Sequence, residues 1–159
     1  MLIFYIIEVG VILNGLSILS KSYDKKFTVD KDIRNGLLAA IMNMTKFVLS
    51  EHIQHFRFGE YKLVVTSQRL ISKKKNVKNT GSVNLSSDLI VYIIGDRSLK
   101  TSIVQDLLKE INKKFIAMFP GLAEKQAGDM IKYRNFLPVF DEILLDLKDS
   151  PEKRFEHLF

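Results

Sequence analysis

Two kinds of apolar run alternate with polar stretches along this chain. Residues 2–7 (LIFYII) and 89–95 (LIVYIIG) carry no polar alternation, the pattern of strands covered on both faces. Three other stretches alternate as half-buried strands do. Phe56 and Phe58 oppose His55 and Arg57 in 53–58; Tyr61, Leu63 and Val65 point one way in 61–67; and Ile18, Ser20 and Ser22 alternate with Leu19, Lys21 and Tyr23. Within VGVILNGLSIL, Asn14-Gly15 sits between two apolar, β-branched runs. Both residues tolerate the φ > 0 that a two-residue type I′ turn needs, so the dipeptide predicts a hairpin. Gly59-Glu60 marks a second tight turn.

Elsewhere the period lengthens to that of a helix. Ile33, Leu37, Ile41, Met44 and Val48, widened by Leu38, Met42 and Phe47, predict a helix over 30–49 with Asp30 as N-cap and Asp32 at the positive end of its dipole. Ile103, Leu107, Ile111, Phe115 and Met118 predict another, capped by Asp96 or Ser98 and stopped by Pro120-Gly121. Leu137, Phe140, Leu144 and Leu147 mark a last helix over 136–148, with Pro138 in its first turn. The polar run 72–87 reads as a loop between two strands, and 122–135 as a mixed connection.

The resulting order is β-β-α-β-β-β-α-α. Two apolar-run strands call for cover on both faces of the sheet. The expected class is therefore α/β, an α/β/α sandwich on a five-stranded, mainly antiparallel sheet. Pairing of sequential neighbours, joined through the two apolar strands, puts the second and third strands at the edges. Residues 1–148 form one expected domain, and 149–159 a short tail after Ser150-Pro151.

Composition changes this picture little. A chain of 159 residues with 47% apolar and 26% charged residues is ordinary for one globular domain, and the absence of cysteine removes disulfide and thiolate chemistry. The first 20 residues are apolar enough to suggest a membrane segment. However, Glu8 lies near their middle, Asn14-Gly15 interrupts them, and no basic residue precedes them. A bilayer span wants about 20 apolar residues, and a carboxylate at its centre costs about 3 kcal/mol. A buried strand and a cytoplasmic location are the expectation. Net charge is +6, with Lys73, Lys74, Lys75 and Lys78 concentrated in the 72–87 stretch.

Three segments carry a resemblance: the opening YIIEVGVILNGLSILSKSYD, the helix DIRNGLLAAIMNMTKFV, and FRFGEYKLVV. Together with the element order they resemble the longin and roadblock-like domains, the longin form more closely because two helices follow the fifth strand. The likeness covers 1–148 and lies in elements and apolar positions, not in a signature motif. Profilin-like and PAS-like folds share parts of this layout. The resemblance implies a non-enzymatic module of vesicle-trafficking, tethering or nucleotide-exchange assemblies. Its expected partners are a small GTPase, another longin or roadblock protein, or a second copy of itself. On that reading the contact surfaces are the outward face of the 30–49 helix, with Arg34 and Lys46, and the third strand, with Ile53, His55 and Arg57.

No phosphate loop, dinucleotide fingerprint or nucleophile elbow appears, so neither a catalytic residue nor a cofactor is expected. His52 and His55 are three apart on a predicted strand and face opposite ways, which disfavours a metal site. Asp141, Glu142 and Asp146 fit the solvated face of the last helix. Phe56, Phe58, Tyr61 and Tyr92 fall in apolar alternation, as core residues do, which argues against nucleic acid as the partner. The alternative functional reading is a basic peripheral module. It would bind anionic lipid headgroups or nucleic acid through Lys73, Lys74, Lys75 and Lys78.

Overall fold

A computed structural model describes residues 6–23, 53–75, 82–122 and 130–144. Strand β1 (Ile6–Leu13) turns back into β2 (Leu16–Ser22) through Asn14 at φ 50° and Gly15 at φ 81°, the geometry the dipeptide predicts. Strand β3 (Ile53–Phe58) turns at Gly59, φ 55°, into β4 (Tyr61–Lys75), and β5 (Ser82–Asp96) follows. The sheet order is β2-β1-β5-β4-β3, with every ladder antiparallel. The two apolar runs thus pair at its centre, Val9 against Ile93 and Val11 against Val91, and β2 and β3 form the edges as expected.

The class is α+β, a five-stranded antiparallel sheet with helices; the sheet is the one expected, and the α/β label gives way to α+β. Connections as short as those of β1–β2, β3–β4 and β4–β5 allow only antiparallel neighbours, since a parallel pair needs a crossover of a dozen or more residues. A second correction concerns 72–87. Most of this run is strand, with Lys73 paired to Asn84, Lys74 to Val83 and Lys75 to Ser82. β1 leaves β5 at Leu89 and β3 leaves β4 at Thr66, so Arg69–Lys75 and Ser82–Asp88 continue as a two-stranded ribbon.

Helix α1 (Thr101–Met118) starts later than predicted. Asp96 accepts the Ser98 amide at 2.9 Å and shapes the preceding turn, while the N-cap is Lys100, without a side-chain cap. The buried stripe of α1 is Val104, Leu108, Ile111 and Phe115, whereas Ile103 and Met118 are exposed. A 3₁₀ turn (Ile131–Phe136) leads into α2 (Leu137–Ile143), with Pro138 in its first turn. The 30–49 helix lies outside the described residues.

One core cluster joins Val9, Val11, Val64, Val91 and Ile93 of the sheet to α1, the 3₁₀ turn and α2. The rings of Phe115, Phe119, Tyr133, Phe136 and Phe140 cluster there in mostly tilted and edge-on contacts, centroids 4.8–6.4 Å apart. The opposite face carries Ile7, Ile12, Leu63, Val65, Ile90, Tyr92 and Ile94, all buried. Glu8 belongs here too. A bulge in β1 between Ile6 and Glu8 breaks the alternation, and the Tyr92 hydroxyl donates to Glu8 Oε2 at 2.8 Å. Gly10 lies under the Tyr92 ring, where a Cβ would stand 2.3 Å from Cζ. The carboxylate that argued against a membrane segment is thus a partnered core residue. No helix among the described residues is long and apolar enough to cross a membrane.

Candidate functional site: the β3 edge

Edge strand β3 pairs with β4 from Ile53 opposite Thr66 to Phe58 opposite Tyr61. Of the partner-binding candidates, His55 and Arg57 are exposed here, while for Ile53 only the backbone pairing is described. Phe56 and Tyr61 pack against the second cluster, and Tyr92 is fully buried, so these aromatics are core as expected. Arg34, Lys46 and Lys78 lie outside the described residues, and so does His52. Lys73, Lys74 and Lys75 stand on β4 near the ribbon's end, far along the strand from Arg57, so the two candidate sets are not brought together. Among the described residues, no three acidic, histidine or cysteine side chains group as metal ligands.

The residue that sequence reasoning missed is Lys62. It stands directly across the ladder from Arg57 and next but one to buried Val64, so it points to the α1 side of the sheet. Only 5% of it is exposed. Its amine donates to the Leu99 carbonyl at 3.0 Å, just before the α1 N-cap. No carboxylate among the described residues pairs with it. Burial lowers its pKa from the ordinary lysine value, and the Arg57 charge lowers it further. The neighbouring helix end is also electropositive, because no acidic residue occupies the first turn of α1. Inward-facing Tyr61, Leu63 and Val65 made position 62 look solvated. The signal to the contrary was the unbroken run in β5, which implies cover on both faces of its neighbours as well.

A second polar group was also misjudged. Asp141 does not simply sit on a solvated helix face. Its carboxylate accepts the Tyr23 hydroxyl at 2.9 Å and pairs with the Lys21 amine, tying α2 to β2. Burial, followed by Asp141, raises the Tyr23 pKa above the ordinary tyrosine value. Glu142 is exposed. This group works as a clamp between elements.

No protein-family model matches the chain, and no curated protein matches it.

Proposed function

We propose that the chain is a non-enzymatic protein-interaction module of longin/roadblock type. It binds or scaffolds a small Ras- or Arf-like GTPase, or a second module of its own kind, in a cytoplasmic assembly at or near a membrane surface. The observation that carries this reading is the β3 edge, where one side of the strand pairs with β4 and the exposed His55 and Arg57 flank the other. An edge strand presents a row of backbone donors and acceptors ready for another chain, and side chains beside it supply selectivity. Arg34 and Lys46 are further candidates taken from the sequence resemblance. The test is size-exclusion chromatography and titration of the purified chain with candidate GTPases, loaded with either GDP or a GTP analogue. A complex or a homodimer weakened at least tenfold by Arg57→Glu supports the reading. No complex in either nucleotide state, together with no self-association, overturns it.

The ribbon favours a second reading, a basic module for anionic surfaces, because its β4 arm ends in three consecutive lysines. Changing Lys73, Lys74, Lys75 and Lys78 to Glu should abolish salt-dependent binding to anionic vesicles or nucleic acid. Binding that survives the change rules it out.

A further inference from the structure

We propose that β3 takes up an extended acidic segment of a partner protein as a sixth strand, bonded to the backbone of Ile53, His55 and Arg57 with its carboxylates set against Arg57 and His55. This rests on the reading of β3 as a contact edge and adds the chemistry of what docks there. The sheet has two edges, and they differ. In β2 the register slips where Val11 faces Leu19 and Ile12 faces Ser17, so Ile18 bulges from the ladder. A bulge of that kind guards an edge against further pairing. Lys21 and, just past the strand, Tyr23 are also held by Asp141. β3 keeps one register from Ile53 to Phe58, without a break.

The turn selects which backbone groups face outward. Gly59-Glu60 is a two-residue turn, and such a turn closes on a hydrogen-bonded pair, here Phe58 and Tyr61. Bonded and unbonded pairs alternate along an antiparallel ladder. Gln54, Phe56 and Phe58 therefore turn their amides and carbonyls to β4, while Ile53, His55 and Arg57 turn theirs to the open edge. The exposed side chains of His55 and Arg57 share the α1 side of the sheet, opposite Val64 and Lys62. Arg57 and Lys62 are thus like charges directly across a ladder, which an added carboxylate relieves. The Lys62 bond to the Leu99 carbonyl brings the turn before α1 to the same side, where Arg97 and Lys100 are exposed. The described acids at this end are Glu60, exposed in the turn, and Asp96, whose Oδ1 accepts the amide and hydroxyl of Ser98. An added strand presents every second side chain to this face, so a carboxylate at alternate positions meets Arg57, with the paired donors of a guanidinium, and His55. A second copy would set the same cations against themselves, so an acidic strand is the better match.

The probe is a fluorescein-capped, amidated peptide, Ser-Glu-Val-Glu-Val-Glu-Ser, followed by anisotropy, with Lys in place of Glu as its basic counterpart. Saturable binding of the acidic peptide is expected, at least tenfold tighter than that of the basic one. Arg57→Glu should weaken the acidic peptide at least tenfold and strengthen the basic one, a reversal that misfolding cannot produce. Lys113→Gln, exposed on α1, should change neither. N-methylation of the Glu amides or of the Val amides blocks one backbone edge each; one form should lose binding and the other keep it. In the ¹⁵N-labelled chain, the amides of Ile53, His55 and Arg57 should shift more than those of Gln54 and Phe56. The proposal is overturned if the acidic peptide does not saturate, if the basic one binds as well, or if the two methylated forms do not differ. A GTPase complex or homodimer formed without peptide binding leaves the module reading standing and removes the acidic strand alone. Peptide binding without either complex removes the GTPase and self-association reading and leaves the edge assigned.

Discussion

Replacing Gly10 with Ala sets two opposed effects against each other. Alanine in a strand interior is ordinarily about 0.5–1 kcal/mol more favourable than glycine, because glycine loses more backbone freedom on folding. Here the added methyl would lie 2.3 Å from Cζ and Oη of Tyr92, a fully buried ring. Overpacking of this kind costs about 1–3 kcal/mol. Movement of the ring also threatens its hydroxyl bond to Glu8, and hydrogen bonds to charged groups contribute about 1.5–3 kcal/mol. The clash wins, with a net loss of about 2–4 kcal/mol. For a domain of this size that is a Tm decrease of about 4–16 °C. Thermal and urea unfolding of G10A, Y92L and the double variant measure it as a cycle. In the Y92L background, where the ring is gone, G10A should cost less than about 0.5 kcal/mol. If G10A alone stays within about 0.5 kcal/mol of the parent, the packing of Tyr92 on Gly10 is refuted.

Asn14 should be sensitive in two separable ways. Its side chain accepts the Asp88 amide at 2.9 Å and donates to Ser87 Oγ at 3.2 Å, while its φ is 50°. Asn14→Gly keeps the turn and loses only the bonds, about 1 kcal/mol, whereas Asn14→Ala also strains the backbone by about 1–2 kcal/mol; equal urea midpoints for the two variants would contradict this. The Tyr23 clamp should appear in the alkaline limb of the stability curve. With the folded pKa raised, the proton stabilises the native state fully below about pH 10, the unfolded value, and that contribution is lost as pH rises above it. Tyr23→Phe should therefore flatten the fall in Tm above pH 10, which melts across pH 8–11 will show, though Tyr133, also raised by burial, keeps part of the slope.

Strand pairing was legible because it depends on local signals that agree with one another. Asn14-Gly15 dictates one hairpin, Gly59-Glu60 another, and two unbroken apolar runs can satisfy both faces only at the centre of the sheet. The ribbon was not legible. Residues 72–75 and 82–88 are joined by a backbone ladder, and a run such as SKKK looks the same in a loop. The α1 stripe was misplaced by a geometric drift. Steps of four residues rotate about 40° each on a helix of 3.6 residues per turn, so Ile103 stands about 120° and Leu107 about 80° from Phe115, while Val104 and Leu108 stand about 20° from it. Asp141 and Lys62 were missed for a different reason. Both are charges whose roles depend on an element distant in sequence, Tyr23 for one and Leu99 for the other. No periodicity encodes such a contact.

Lys62 is a charge that the fold carries at a cost. A buried ammonium with no carboxylate partner among the described residues opposes folding, and replacement of buried charge by apolar side chains of similar size is often neutral or stabilising. Lys62→Met removes that cost at the expense of one hydrogen bond to the Leu99 carbonyl, about 1 kcal/mol. The pH dependence separates the two terms. With the folded pKa of Lys62 below the ordinary value of about 10.5, both native and unfolded states carry the proton at low pH, and the fold bears the full cost there. As pH rises through the folded pKa towards 10.5 the native state releases the proton first, so the cost fades and stability rises relative to the variant. The parent should thus gain on Lys62→Met between neutral pH and about 10.5. The Tyr23 and Tyr133 contributions are common to both proteins and cancel in the difference. A gap in Tm that does not change with pH would mean that the amine is not held against its charge.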